Sequence, residues 1–478
     1  MSGSDPVQRF WEVVGEVFDP KQPVRDPALF AERKPEYDEM GRLEKLLRRP
    51  FDDQKYLVAG SVGNGKTSSL IHLSSNLAQH RMVVFVDLWA HFQGRVRDVS
   101  ALDRVEPWEL VGLLGLAIIR AGEQRFGHSW GDEPKVLEAA LAKLRESEDG
   151  GDAAEIDVMK LARGLAVAAG GVVGAVTGGP VTAALGAGAA GTAMGAGLKV
   201  LDVASDATRW TWRLGLGDGR RRSDQDSEVR DVLHAVNALI LKLQGEYGKR
   251  LVLVVDGIDR VRDPGRLEVL FVHSSLLGEL SCDEVFTVPT AVFDGAAHHA
   301  VAFASYELCN VPVLRREDPS SIGPDIEFFH QLVAKRLVYI TARLADQGGT
   351  VPCDDPIPAA VIDKLAYYSG GLVREFVRMI VFAAGEAWEA RAEAISDEIV
   401  LEVLRNSRGL KESRITKGEI ALLEQVMEDP EHQLPDGPMA RELLREQRLL
   451  PYPNETPWYY PHPLLTLVVL RPGSRSAS

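Results

Sequence analysis

Cysteine is nearly absent from this sequence: Cys282, Cys309 and Cys353 are scattered over 478 residues with no ligand-like spacing. That scarcity excludes a disulfide framework and a cysteine-based zinc site, and it reads as free thiols in a reducing compartment. Aromatic residues are sparse, at 7%. A basic excess is also missing, since 54 Lys and Arg stand against 69 Asp and Glu, a formal net charge of -15. A nucleic-acid binder ordinarily carries a basic footprint, so the charge balance argues against nucleic acid as the main partner and leaves room only for a small local patch. The N-terminus, MSGSDPVQRFWEVVGEVF, lacks a basic region followed by an apolar core. No secretory leader is expected there, and the expected location is the cytoplasm. No internal repeat is found.

What is present divides the chain. Residues 1–45, with Pro at 6, 20, 23, 27 and 35, read as a short helix and an irregular lead-in. From 46 to about 320, apolar β-type runs alternate with helical periodicity: Tyr56–Ala59, Met82–Leu88, Leu251–Val255, Val285–Phe293 and Tyr306–Leu314 are strand candidates, with helices over 107–125, 134–146 and 227–246. Alternation of this kind predicts an α/β fold with a mostly parallel sheet covered on both faces. Residues 321–415 are helical throughout. Over 416–478, two helices precede a short β-hairpin, the order that a winged helix needs. Inside the α/β region, 147–225 forms a composition break: no charge occurs between Arg163 and Lys199, and Gly and Ala dominate.

Gly60-Ser61-Val62-Gly63-Asn64-Gly65-Lys66-Thr67 satisfies G-x-x-x-x-G-K-[ST] in full. An apolar strand precedes it and a helical pattern follows. The glycines let backbone amides close around phosphates at the positive end of that helix. Lys66 then reaches the β- and γ-phosphates, and the Thr67 hydroxyl ligates Mg²⁺. Ser68 is counted with the loop as a nucleotide-binding residue. The expected partner is Asp256, an acid closing the apolar run Leu251–Val255, placed to hold the magnesium across from Thr67. Gly257 stands where many ATPases carry a catalytic Glu. The general base is then Asp259 if it reaches the attacking water; as a turn aspartate instead, it would leave hydrolysis slow.

Together these motifs resemble the AAA+/STAND branch of P-loop NTPases. The order Asp256-Gly257-Ile258-Asp259 is similar to the NACHT type, and Asp259-Arg260 to the KAP P-loop NTPases. Ser369-Gly370-Gly371-Leu372-Val373-Arg374-Glu375-Phe376 resembles the sensor 2 helix of Orc/Cdc6-like AAA+ proteins, which implies that Arg374 touches the γ-phosphate. Tyr460-Pro461-His462-Pro463-Leu464-Leu465 is similar to the segment at which STAND winged helices contact bound ADP, which implies His462 as a nucleotide ligand; an ordinary packed histidine is the alternative. The chain departs from these families in two places. The sensor 1 strand offers Thr287 and Thr290 without an arginine. Residues 294–305 contain no arginine finger, leaving Arg260, Arg262, Arg315 and Arg316 as the nearest candidates in trans.

Small residues at four-residue spacing (Gly170, Gly174, Gly178; Ala187, Gly191, Gly195), followed by Trp210, Trp212 and Arg220-Arg221-Arg222, resemble a membrane-contacting stretch. KAP-type NTPases carry membrane segments at this place. Gly and Ala contribute little transfer energy, however, and Thr177-Gly178-Gly179-Pro180 divides the run, so a soluble hairpin or flexible arm is favoured over membrane contact through 164–222. The expected function is an ATP-binding and ATP-hydrolysing switch, with Mg²⁺ as cofactor, that self-assembles or engages a protein effector as ATP replaces ADP. Nothing resembles the guanine-reading N-K-x-D. The resemblance implies conflict or stress signalling in bacteria. The alternatives are an Orc/Cdc6-like DNA-binding ATPase, a KAP-like membrane-associated NTPase, and an ATP-binding scaffold without turnover.

Overall fold

The structure is a computed structural model and describes residues 5–50, 53–93, 99–149, 222–261, 263–289, 302–453, 457–467 and 470. In chain order its principal elements are α1 (Pro6–Val17), α2 (Glu39–Leu47), β1 (Lys55–Ala59), α3 (Lys66–Leu77), β2 (Met82–Asp87), α4 (Pro107–Arg125), α5 (Glu133–Asp149), α6 (Ser227–Tyr247), β3 (Leu251–Asp256), β4 (Asp283–Val288) and β5 (Ala304–Glu307). There follow α7 (Glu327–Asp346), α8 (Ala359–Tyr368), α9 (Val373–Ala390), α10 (Asp397–Glu412), α11 (Lys417–Glu428), α12 (Pro438–Arg445), β6 (Leu449–Tyr452) and β7 (Trp458–Pro461). The chain divides into two compact units. One comprises Arg42–Ala59 with Leu73–Tyr306; the other joins Met1–Gly41, Gly60–His72 and Glu307–Ser478.

The first unit is the α/β part. Its sheet has the order β2-β3-β4-β1-β5. β1 pairs with β4, β2 with β3, and β3 with β4, all parallel. Every residue of β3, LVLVVD, is buried, as expected of a strand with layers on both faces. Helices α4, α5 and α6 supply most of the apolar partners, Leu110, Leu114, Leu137, Leu141, Val232, Val236 and Leu239 among them. β4 stops at Val288. The remainder of the strand expected to 293, Thr290, Arg262 and the Gly/Ala-rich stretch 150–221 lie outside the described residues. Among the described residues no helix is long and apolar enough to cross a membrane.

The second unit has one core shared by α1 and α7 to α10. The expected lead-in thus does more than introduce the chain: Phe10, Trp11, Val13, Val14 and Phe18 are buried beside Phe329, Leu365 and Phe376. Trp11 Nε1 donates to the Ala392 carbonyl at 2.7 Å. The C-terminal segment has the winged-helix order, α11, α12 and an antiparallel β6–β7 hairpin in which Leu449 opposes Pro461. It closes over Leu423, Val426, Leu443, Leu444, Leu449 and Leu465. A capping box between Thr416 and Glu419 starts α11, satisfying the free amides of its first turn.

One strand is shorter than its sequence suggests. The run Tyr306–Leu314 is apolar enough for a longer strand, but β5 ends at Glu307. Its backbone groups are bonded elsewhere. The Leu308 carbonyl accepts from Asn64 Nδ2, and the Cys309 carbonyl from Arg33 Nη1 at 2.7 Å. The Asn310 amide donates to Pro451 O at 3.3 Å and the Val311 amide to Gly371 O at 3.2 Å. Two side chains, β6 and the turn before α9 have taken the bonds that a neighbouring strand of the sheet would have supplied.

Candidate nucleotide site

The loop Gly60–Gly65 leaves β1 and enters α3 at Lys66. Gly63 and Gly65 hold φ of 92° and 97°, a left-handed conformation in which a side chain is strained. This turns the loop back over the start of α3, and a helix N-terminus is a place suited to an anion. The Lys66 side chain is 5% exposed. Its Nζ donates to Gly60 O at 2.6 Å and Ser61 O at 3.0 Å, so the ammonium lies against the loop it is expected to serve. Ser68 Oγ accepts from the Val24 amide at 3.0 Å.

Besides Leu308, whose carbonyl accepts from Asn64 Nδ2, three segments of the same unit touch the loop among the described residues, and the sequence marked only one of these three. That one is the start of α9: the Arg374 amide donates to Gly63 O at 2.9 Å. A Cβ on Gly63 would lie 2.9 Å from Arg374 Cβ. Gly371, just before α9, is as tightly placed against another segment: a Cβ there would stand 2.0 Å from the Val311 carbonyl oxygen. The second is the lead-in, where half-buried Arg33 bonds Asn64 O at 3.1 Å as well as Cys309 O. The third is the winged helix, where Gln447 Nε2 donates to Val62 O. Neither Arg33 nor Gln447 belongs to a local motif, so nothing in the sequence pointed to them.

In the α/β unit, Asp256 closes β3 and is 4% exposed. β1, β4 and β3 run parallel with β4 between the others, so Ala59 and Asp256 finish at the same edge of the sheet. The Gly257 amide donates to Asp256 Oδ1 and to Thr287 Oγ1, each at 2.9 Å. The sensor 1 candidate Thr287 therefore sits one amide away from the acid. Asp259 lies in a 3₁₀ turn, its side chain 8% exposed and 3.9 Å from Arg260 Nε. Arg260 in turn stacks over Trp89 at 5.3 Å.

Gly257 has a steric reason. Its φ is 98°, and a Cβ would lie 2.6 Å from the Trp89 amide nitrogen. Restoring the acid that many ATPases carry here should therefore fail: Gly257→Glu is expected to cost about 2–4 kcal/mol of stability without raising ATP turnover. Thermal unfolding and steady-state hydrolysis check this. A stable Gly257→Glu protein with faster turnover would contradict it.

His462 is fully buried. Its Nδ1 accepts from the Leu464 amide at 3.3 Å, and Nε2 faces Glu375 Oε2 at 3.6 Å. Burial, reinforced by the charge of Lys411, lowers the imidazole to about 4 against the pull of Glu375. Burial pushes the Glu375 carboxyl up, while His462 and Lys411 pull it below its ordinary value. With the imidazole neutral, Lys411 Nζ at 3.1 Å is the counter-charge. His462 thus caps and packs in this conformation.

Each unit by itself carries residue types that suit its share of a magnesium triphosphate: in one, positive-φ glycines, a buried lysine and hydroxyl-bearing Thr67 lead into a helix; in the other, a buried carboxylate ends β3. One protein carboxylate is ordinary for Mg²⁺, which takes its other ligands from phosphate and water. Among the described residues no group of three or more His, Cys, Asp or Glu could hold a metal by itself. The other arginines considered for charge stabilisation have local partners, Arg315 with Ile322 O at 2.9 Å and Arg316 with Glu431.

No protein-family profile matches the chain, and no curated protein does. Solved structures do. The chain is similar to the ORC1 protein of Aeropyrum pernix in complex with DNA, at 12% identity over 94% of this chain and 93% of that one, with a TM-score of 0.38. It is similar to Cdc6p of Pyrobaculum aerophilum, at 11% identity over 95% of each chain and a TM-score of 0.33. For Drosophila ORC bound to DNA the identity is 10%, over 97% of this chain and 91% of that one, with a TM-score of 0.38.

Proposed function

We propose that the protein is an ATP-binding and ATP-hydrolysing switch of the AAA+ kind. Lys66, Thr67 and the loop amides of Gly60–Gly65 take the phosphates, Asp256 holds Mg²⁺, and Asp259 orients or deprotonates the attacking water. Arg374 reads the γ-phosphate. The observation that carries this reading is the bond between the Arg374 amide and Gly63 O, which sets the first turn of α9 directly on the loop. A helix so placed can respond to a third phosphate, and nucleotide then shifts a two-state equilibrium by its differential affinity. The output is self-assembly or engagement of a protein effector. Light scattering of the purified protein with ADP and then with a non-hydrolysable ATP analogue tests it. A mass change supports the switch; identical species with both nucleotides would remove it.

The winged-helix order of α11, α12 and the β6–β7 hairpin favours a second reading, an ATPase that binds duplex DNA. From Lys411 onward there are 8 Lys and Arg against 10 Asp and Glu, so any DNA-binding face must be local. The overall charge balance does not by itself exclude that partner. A salt-sensitive gel shift by the full chain would establish this reading.

A further inference from the structure

Helix α12 ends in a Schellman turn: the Arg448 amide donates to Leu443 O at 2.9 Å and the Gln447 amide to Leu444 O at 3.1 Å. The turn puts Gln447 at a φ of 58°, the place where glycine is the usual occupant because a side chain is strained there. Backbone considerations alone disfavour glutamine, but its side chain gives it a use. Nε2 donates to Val62 O at the tip of the loop. The Gln447 carbonyl accepts from Lys411 Nζ at 3.4 Å, and the same ammonium pairs with Glu375 at 3.1 Å. Glu375 follows Arg374, whose amide returns to the loop at Gly63. The circuit leaves the loop at Val62 and re-enters one residue later, through the turn after α12, the end of α10 and the start of α9. His462, facing Glu375, ties the segment after β7 to it.

We propose that Gln447 is a positioning residue that couples the winged helix to the content of the loop. The proposal rests on the nucleotide reading above. Lys66 Nζ is bonded to Gly60 O and Ser61 O, the two residues before Val62. An ammonium that turns to a phosphate gives up those carbonyls and frees the segment carrying Val62 O. Gln447 restrains that segment and passes its displacement to Lys411 and Glu375. By reciprocity, releasing Gln447 changes nucleotide affinity by the same factor as nucleotide changes Gln447 engagement.

The test uses full-length protein with Gln447→Gly and Gln447→Ala. Glycine relieves the left-handed strain, so the Tm of Gln447→Gly is expected to be unchanged or raised. Both variants should bind ADP and a non-hydrolysable ATP analogue about fivefold more tightly, the loss of one hydrogen bond that held the loop in its other state. Both should also lose most of the nucleotide-dependent difference in hydrogen exchange over residues 447–467. If wild type binds nucleotide and either variant keeps the wild-type affinity and exchange difference, this inference falls and the nucleotide site stands. If wild type binds neither nucleotide, both fall.

Discussion

Lys66→Ala should lower ATP affinity by about 30- to 3,000-fold. Truncating one side of a close charge pair costs about 2–5 kcal/mol, and each 1.4 kcal/mol is a factor of ten. The effect should be confined to the site. Lys66 opens α3, is 5% exposed, and donates to the loop carbonyls Gly60 O and Ser61 O. Removing it leaves those two carbonyls to water and should change unfolding free energy by about 1 kcal/mol. Lys135→Ala, whose side chain is 77% exposed on α5, is the matched control and should bind as wild type does. Titration with a fluorescent ATP analogue reads both. If Lys66→Ala binds the analogue as tightly as the control, the loop is not a phosphate site, and the proposed roles of Thr67, Asp256 and Arg374 go with it.

The largest stability effect is expected far from that loop. Lys55→Met, at the start of β1, should destabilise the protein by about 3–5 kcal/mol at pH 8, because it strands a buried carboxylate. Lys55 Nζ pairs with Glu284 and also donates to Leu280 O and Cys282 O at 2.8 Å for the latter. Both charged side chains are almost wholly buried, at 4% and 0% exposure. Burial raises the Glu284 carboxyl from 4.5 to about 7, with Lys55 opposing the shift and Asp53 and Asp283 adding to it. The sign follows. A carboxyl whose folded pKa is raised contributes stability that is complete below its unfolded value and lost as pH climbs through the folded one. For Glu284 the window is about 4.5 to 7. Without Lys55 the carboxyl stays protonated to higher pH, so the penalty of Lys55→Met should be smaller at pH 5 than at pH 8. Adding Glu284→Gln should recover about 2 kcal/mol at pH 8. Urea unfolding at the two pH values measures all of this. Equal penalties at pH 5 and pH 8 would show that Glu284 carries no charge in the fold.

Much of the fold is legible from local pattern. The helix expected over 107–125 is found as Pro107–Arg125, and the two helices and hairpin expected over 416–478 are found as α11, α12 and β6–β7. Periods of 3.6 and 2 are local properties, and burial of one face enforces them. The loop is legible for a related reason: its glycines, Lys66 and Thr67 are consecutive, so spacing alone specifies their arrangement. Residues 308–311 were not, because their hydrophobicity suits a strand while their backbone partners are Asn64, Arg33, Pro451 and Gly371. His462 was legible only as an alternative, ligand or packed histidine: complete burial and the charge of Lys411 keep it neutral here, and its Nδ1 accepts from the Leu464 amide.

By itself the sequence determined the α/β alternation, the helical stretch, the winged-helix order, and a phosphate-type loop followed by an acid-ended strand. Each of these is written in neighbouring residues, where side-chain period and backbone permissiveness leave few options. Only the tertiary structure decided that Arg33 and Gln447 reach the loop, that Gly257 has no room for an acid, and that Lys55 is committed to Glu284. Those pairings join residues tens to hundreds of positions apart. Their bond energies depend on distance and burial rather than on order along the chain, so they come into existence only when packing brings the groups together.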